Sequence, residues 1–190
     1  SQGAPKLAGK ADVNYFSNND QAAGGLSLFG ASGPLGYRFS VSGRDGDNFN
    51  TPDDEVSNSA AKDLNGSGTI GIRQEWGQFD VNYGRVKQEV QLPEGDSVST
   101  PFQKLADDQV SVRAAIPVGE GKFEVIAAHQ KNEREEFEAE DATESVLNFI
   151  TKTTSFDIKA HHFPIGPLKG TIGVSTHNQD LESTKEEQLI

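Results

Sequence analysis

The sequence predicts an all-β fold of antiparallel, up-and-down strands, and three observations lead to this fold class. Apolar and polar residues alternate with a period of two in one segment after another. The segments are joined in turn by short connections rich in Gly and Pro and by long polar ones. No amphipathic helical period competes over a long window. Because successive side chains of a strand point to opposite faces, each segment has one apolar and one polar face.

The composition limits the classes of function. Hydrophobic residues make up 34% of the 190 residues, below the roughly 45–50% of globular chains, so they must be concentrated on one face of a sheet. The formal net charge of −12 argues against a nucleic-acid partner, since binding phosphates needs a basic surface. No run approaches the about 20 apolar residues of a membrane helix. If the chain meets a membrane, it does so with strands.

Nine strands are predicted from the alternation. The run 110–116 is typical, with Val, Val, Ala and Ile at its even positions and Ser, Arg and Ala at its odd ones. A Glu-rich run at 131–145 is expected to form a helical insert in a loop. The predicted strands cover approximately residues 9–17, 24–31, 36–45, 66–77, 79–90, 107–117, 122–132, 149–162 and 168–179.

The connections alternate in length. Four are short, at 31–36, 77–78, 117–121 and 164–167, and Gly and Pro suit them to turns. The others are long, except for a first hairpin around 18–20. Antiparallel order puts the short turns at one end of the sheet and the long loops at the other, as in outer-membrane barrels with short periplasmic turns. The long loops, expected to be extracellular, are 46–65, 91–106, 133–148 and 180–190.

Aromatic residues flank the short turns in the sequence. Barrels carry a girdle of aromatic rings at each membrane interface, so this placement predicts a girdle on the short-turn side. The alternative is that aromatic residues simply favour strands and their ends. The residues in question are Phe29, Tyr37, Trp76, Phe79, Phe123 and Phe163.

Two runs near the start of the sequence resemble a known family. The run GKADVNYFSNND (9–20) and the run AGGLSLFGASGPLGYRFSVSGR (23–44) resemble the first three barrel strands of TonB-dependent outer-membrane receptors. The resemblance implies a 22-stranded transmembrane β-barrel of which this chain is the N-terminal part, with the family's plug domain absent from the 190 residues. It places the chain in the bacterial outer membrane of a Gram-negative cell.

The resemblance also implies a function. Receptors of this family import a scarce nutrient: a metal chelate, haem, cobalamin, zinc or an oligosaccharide. The implied partners are outer-membrane lipid, the plug domain, the remaining barrel strands and a small extracellular ligand. TonB would act only through the plug that these residues lack.

By alternation, a set of charged side chains falls on the polar face, where a transporter would have its lumen. The sequence contains no catalytic constellation and no phosphate-binding loop, so neither an enzyme activity nor a cofactor is expected. The candidate lumen-facing residues are Arg38, Arg73, Glu75, Arg113 and Lys159.

Four histidines are weak candidates for a metal site, and no metal site is expected from them. His161 and His162 are adjacent on a strand, so their side chains point to opposite faces and do not chelate one ion together. His129 and His177 are predicted on the strands either side. The acidic loop 44–63 offers oxygen ligands for Ca²⁺, but Phe49 breaks the EF-hand spacing, which favours a solvated loop.

The number of predicted strands indicates whether they could form a complete barrel. Bacterial single-chain barrels have an even number of strands and must close, so nine strands predict part of a larger barrel. Two alternatives remain open at this stage. One is a small non-transport outer-membrane barrel or adhesin that is complete in itself, and the other is a soluble β-barrel binding module.

Overall fold

A computed structural model describes residues 6–93, 100–139, 141–162, 168 and 170–185. Within these residues the fold is all-β, and no helix is long and apolar enough to cross a membrane. The nine strands are β1 (Lys6–Phe16), β2 (Gln21–Ser32), β3 (Leu35–Gly46), β4 (Ala61–Gln74), β5 (Gly77–Gln91), β6 (Phe102–Val118), β7 (Gly121–Phe137), β8 (Leu147–His161) and β9 (Thr171–Lys185).

The strands form one open sheet in the order of the sequence, and every neighbouring pair is antiparallel. The predicted all-β, up-and-down arrangement of nine strands is confirmed. Most strands are longer than predicted at the long-loop end, where polar residues replace the apolar alternation. Backbone hydrogen bonding to a neighbouring strand does not depend on side-chain polarity, so the ladder continues beyond the apolar segment.

The helix predicted at 131–145 is wrong. β7 continues to Phe137 and is paired on both sides, with β6 and with β8. Its charges are neutralised along the strand: Lys131 Nζ lies 2.8 Å from Glu133 Oε2, and Arg134 pairs with Glu136. Because the backbone groups of the segment form hydrogen bonds with β6 and β8, the segment is a strand and not a helix.

One turn lies earlier than predicted. β4 ends at Gln74, and the reversal occurs at Glu75 and Trp76 instead of 77–78. Gly77 begins β5 with φ 142° in the region that favours glycine. The turns at 33–34 and 119–120 lie inside the predicted connections. The connection predicted at 164–167 lies outside the described residues.

The short-turn ends of the strands are staggered. Leu35, the first residue of β3, pairs with Ile72, two residues before the end of β4. Gln78, the second residue of β5, pairs with Ala115, three residues before the end of β6. Each of these turns therefore lies two residues beyond the previous one. With about 3.3 Å per residue and about 4.8 Å between strands, the line of turns is inclined by about 35° to the perpendicular of the strands.

The long-loop ends, by contrast, are nearly level. Gly46 pairs with Ala61, and Ala61 pairs in turn with Val90, one residue before the end of β5. With one end level and the other staggered, the strands lengthen from 11 residues in β1 to 17 in β6 and β7. The longer strands extend further from the line of turns.

The sheet has almost no buried core. The chain exposes 13280 Å², whereas a compact monomer of its mass exposes about 8,800 Å². Among the described residues, Phe102 and Phe137 are the buried apolar side chains, and their rings stack with centroids 4.5 Å apart at the long-loop ends of β6 and β7. Within the part of the chain that the structure describes, no second layer covers the apolar side of the sheet.

The loop 47–60 is fastened at both ends. Asn18 and Asn50 exchange side-chain and backbone hydrogen bonds of 2.6–3.1 Å, which join this loop to the first hairpin. On the other side, the amide of Asn58 donates to the carbonyls of Leu92 and Pro101. The loop therefore links the first hairpin to the connection between β5 and β6.

Gly77→Ala is expected to destabilise the sheet by about 1–3 kcal/mol, because φ 142° is strained for any residue with a Cβ. A Cβ at this position would lie 2.3 Å from the carbonyl oxygen of Ala115. Urea unfolding of the chain in detergent micelles, followed by the strand signal in circular dichroism, measures the loss. Gly84→Ala is the control, because a Cβ there meets open space on the same strand. Equal midpoints for the two variants would contradict the prediction.

Candidate functional site

The register divides the sheet into an apolar and a polar face, because residues paired across antiparallel strands lie on the same face. The apolar belt is a band of apolar side chains on the first of these, and Leu64, Phe102, Phe137 and Ile150 lie on the same face beyond its long-loop side. Most of its large members are 37–87% exposed. The belt consists of Leu7, Ala11, Val13, Tyr15, Leu26, Leu28, Leu35, Tyr37, Phe39, Val41, Ile70, Ile72, Phe79, Val81, Tyr83, Val110, Val112, Ala114, Ile116, Val118, Phe123, Val125, Ala127, Phe156, Ile158, Ala160, Ile172 and Val174.

The belt crosses the strands obliquely. One row of paired residues is apolar on β1–β3, where it contains Ala11, Leu26 and Val41. After Gly66 on β4, the same row is charged on β5–β7, with Arg85, Asp108 and Lys131. At the short-turn end, the belt also extends further along the later strands, and on β6 it reaches the last residue, Val118. The belt therefore follows the inclined line of the short turns and not the rows of the ladder.

A charged zone lies next to the belt on the same face, on its long-loop side. It occupies β4–β9, the strands that extend furthest beyond the belt. Ion pairs of 2.7–3.5 Å within it include those of Arg85 with Asp108 and Lys152 with Glu182. The zone consists of Lys62, Arg85, Lys87, Glu89, Lys104, Asp108, Lys131, Glu133, Glu135, Lys152, Asp180 and Glu182.

Aromatic rings mark the turn side of the belt. Tyr37, Phe79 and Phe123 each lie two residues after the first residue of their strand, so they form a row that steps with the turns. Trp76 lies in the turn itself and is 54% exposed. Phe29 does not belong to this row, because Leu26 and Leu28 hold the apolar face of β2 and place Phe29 on the polar one. Phe163 lies outside the described residues.

Four of the five predicted lumen-facing residues share the polar face: Arg38, Arg73, Arg113 and Lys159. Glu75 is not on a strand, because the chain reverses at Glu75 and Trp76, so alternation does not apply to it.

The polar face contains an ionic cluster near the short turns. Glu124 is 8% exposed and accepts hydrogen bonds from Arg113 Nη2 at 2.5 Å and Lys122 Nζ at 3.2 Å. Lys159 is the register partner of Glu124 on β8. The cluster places two cations in contact with one nearly buried carboxylate, which keeps the carboxylate paired although it is removed from solvent.

A second network lies beside this cluster. Gln78 accepts from Arg73 Nε at 3.0 Å and donates to Asp80 Oδ2 at 2.6 Å. Asp80 is the register partner of Arg113, so the two networks are adjacent. Arg38 stands apart from both, with its guanidinium 5.5 Å from the ring centroid of Phe29.

The sequence reasoning missed Glu124, Lys122, Gln78 and Asp80. Finding these four residues requires the register of the hairpins, which the alternation pattern does not give. The turn at 119–120 fixes which residues of β6 and β7 meet, and so brings Arg113 to Glu124. Alternation alone gives the face of each residue but not its neighbours on the next strand.

The four histidines do not converge. His129 lies on the apolar face, where its Nδ1 is 2.9 Å from Thr154 Oγ1. His161 and His177 lie on the polar face, but His161 pairs with Thr171, six residues from His177, which separates them by about 20 Å. His162 follows β8, and its backbone amide donates to Gly170. In the part of the chain that the structure describes, no group of three or more His, Asp or Glu side chains is placed to hold a metal ion.

No family model matches the chain, and no curated protein is similar to it in sequence.

Arg113→Leu is expected to lower the free energy of unfolding by about 1–3 kcal/mol, because it leaves the nearly buried carboxylate of Glu124 with Lys122 as its contact. The unfolding midpoint in micelles measures this change. Arg73→Leu is the control, because Arg73 is exposed and its acceptor is the neutral amide of Gln78. A loss at Arg73 as large as that at Arg113 would refute a special role for the Glu124 cluster.

Proposed function

We propose that the chain is a wall segment of a bacterial outer-membrane β-barrel and part of a TonB-dependent transporter that imports a scarce nutrient. The observation that carries the membrane part of this proposal is the oblique apolar belt. It follows the inclined line of the short turns, and the two together define a plane across the strands. That plane is inclined by about 35° to the perpendicular of the strands, in the range at which barrel strands tilt in a membrane.

The width of the belt supports the same conclusion. On β6 the belt runs from Val110 to Val118 and has an apolar side chain at every second residue, five in all. Eight residues span about 27 Å along a strand, or about 22 Å when the strand is tilted by 35°. The lipid-facing band of outer-membrane barrels is about 25 Å tall. The width of the belt on β6 is therefore close to that of this band.

The exposure of the belt argues against the soluble alternative. Soluble monomers rarely expose continuous apolar patches larger than a few hundred Å², whereas this belt crosses all nine strands. Lipid is the covering that fits it, because the charged zone borders the belt on one side and the aromatic row with Trp76 borders it on the other. Aromatic rings prefer the interface between lipid and water, and charges prefer the water beyond it.

The transport part of the proposal depends on the resemblance of residues 9–44 and on the polar face. In a transporter, the clusters of Arg73, Arg113 and Lys159 line the lumen and meet the plug domain. The 47–60 loop, fastened to its neighbours, belongs to the extracellular surface that captures the ligand. Outer-membrane lipid, the plug, further barrel strands and the ligand are the proposed partners, and TonB acts through the plug.

Val112→Arg is expected to abolish insertion of the chain into phosphatidylcholine vesicles, because a charge on the lipid face near mid-depth costs about 2–4 kcal/mol. Ser111→Arg is the matched control, since Ser111 is the preceding residue of the same strand and faces the polar side. Protection from added protease reports the inserted fraction. Equal insertion of the two variants would contradict a lipid-facing belt.

Trp76, the single tryptophan, provides an independent measurement. On insertion its fluorescence should shift to the blue, and lipids labelled near the headgroup should quench it more strongly than lipids labelled at the chain end. Stronger quenching from the chain end would place the turn inside the hydrocarbon and refute the proposed membrane boundary.

The transporter assignment has its own test. The gene that encodes this chain is expected to encode a plug domain immediately upstream of Ser1. A reading frame that encodes a different domain there would overturn the transporter assignment, while the vesicle experiments would still decide the membrane assignment.

A further inference from the structure

The connection between β3 and β4 has a tip, residues 48–59, that is folded on itself. The backbone amide of Val56 donates to the carbonyl of Phe49 at 2.9 Å, beside an isolated bridge between residues 50 and 55. The base of the tip is closed by Ser59, which donates its amide to Asn48 Oδ1 at 2.7 Å and its hydroxyl to the carbonyl of Val56 at 2.6 Å. All these bonds lie within the tip, so the tip can move as one body without breaking them.

On one side the tip is held to the first hairpin by a latch between Asn18 and Asn50. Asn18 Nδ2 donates to the Asn50 carbonyl at 2.8 Å, and the Asn50 amide donates to Asn18 Oδ1 at 3.1 Å. The third bond runs from Asn50 Nδ2 to the Asn18 carbonyl at 2.6 Å. All three are exposed to solvent, where water competes for the same groups and leaves each bond a small net contribution.

On the other side the tip is held by a buried anchor, the side chain of Asn58. This residue is 8% exposed, and its amide donates to the carbonyls of Leu92 and Pro101 at 2.5 and 2.8 Å. Pulling the anchor out would separate a buried donor from both acceptors, which is less favourable than exchanging exposed bonds with water. The two sides of the tip are therefore held with unequal strength.

Carboxylates on both sides of the latch also oppose its closure. Asp20 lies on the first hairpin, and Asp53, Asp54 and Glu55 lie on the tip. Among the described residues, none of these four carboxylates forms an ion pair. Like charges repel each other, and salt screens this repulsion. The latch is therefore the side of the tip at which we expect separation.

We propose that the tip is a flap that opens at the latch and pivots on the anchor. In the closed flap, the polar groups of Asn18 and Asn50 satisfy each other. In the open flap, the same groups are available to an extracellular ligand. This last step rests on the proposed function, which places the long loops outside the cell, whereas the movement itself does not depend on it. Local opening of this kind is expected where contacts are few and exposed.

The test measures the distance between the first hairpin and the tip in the 190-residue chain folded in dodecyl maltoside micelles. The sequence has no cysteine, so spin labels attach only at the introduced Ser17→Cys and Asp53→Cys. Double electron–electron resonance should give two distances, one for the closed flap and one for the open flap. Labels at Ser17→Cys and Lys87→Cys are the control and should give one distance, because neither residue lies in the tip.

Three variants test the latch. Asn18→Ala removes two of its three bonds and should raise the ratio of open to closed flap about tenfold. Asn50→Ala removes one bond and should have a smaller effect. Asn19→Ala is the matched control, because the side chain of this neighbouring residue takes no part in the latch. A single distance that stays unchanged in Asn18→Ala would overturn the proposal, as would an equal change in Asn19→Ala.

The pivot is tested with Asn58→Gly. Glycine adopts the φ of 57° at this position freely, so the variant removes the anchor amide without straining the backbone. The distances between the first hairpin and the tip should then spread into a broad distribution, since the tip has lost its pivot. Two unchanged distances in this variant would refute the anchor.

The electrostatic bias is tested with salt. Raising the NaCl concentration from about 20 mM to about 500 mM shortens the Debye length and should lower the open fraction of the flap. An open fraction that stays constant or rises would contradict repulsion across the latch.

Hydrogen exchange separates a moving flap from local unfolding. The amide of Val56 donates within the tip and should stay protected in Asn18→Ala, because the tip moves as one body. Loss of this protection would show that the tip unfolds, and would overturn the flap. These results in micelles are independent of the vesicle experiments: a chain that inserts but has a fixed tip overturns the flap alone, and a chain with a moving tip that fails to insert overturns the proposed membrane wall.

Discussion

Backbone hydrogen bonds between consecutive antiparallel strands hold this sheet together in place of a packed core. Their register decides which side chains share a face, and a slip of one residue would move every apolar side chain of a strand to the opposite side. Eight ladders keep the same assignment across nine strands. The apolar belt and the polar clusters both depend on it, since neither of them lies within a single strand.

The stagger of the turns is the second consequence of this register. Among the three short turns that the structure describes, each lies two residues further along the ladder than the one before, whereas the long-loop ends stay level. The belt follows the turns, so the strands that extend furthest are also the ones that carry charge beyond the belt. The same geometry explains why one row of paired residues is apolar at Leu26 and charged at Lys131. An apolar band parallel to the rows of paired residues would fit strands that stand upright in a membrane. An oblique band fits strands that are tilted, as in a barrel.

The two faces use charge differently. On the polar face, Arg113 and Lys122 surround the nearly buried carboxylate of Glu124, so the charges satisfy each other near the short turns. On the apolar face, charges lie at the opposite end of the strands, where Arg85 pairs with Asp108 and Lys152 with Glu182. This asymmetry gives the sheet a turn end bordered by aromatic rings and a loop end bordered by charges.

The sequence by itself determined the all-β class, the nine strands, their order and the face of residues such as Arg38, Val112 and Lys159, because alternation is a local property of the chain. It did not determine where the strands end, and it misplaced Glu75 and the segment 131–145. Turn position and strand extension depend on the neighbouring strand that accepts the hydrogen bonds. The approach of Arg113 to Glu124 was decided by the tertiary structure alone. It needs the register between strands, which is set by the paired backbone and has no signal within either strand.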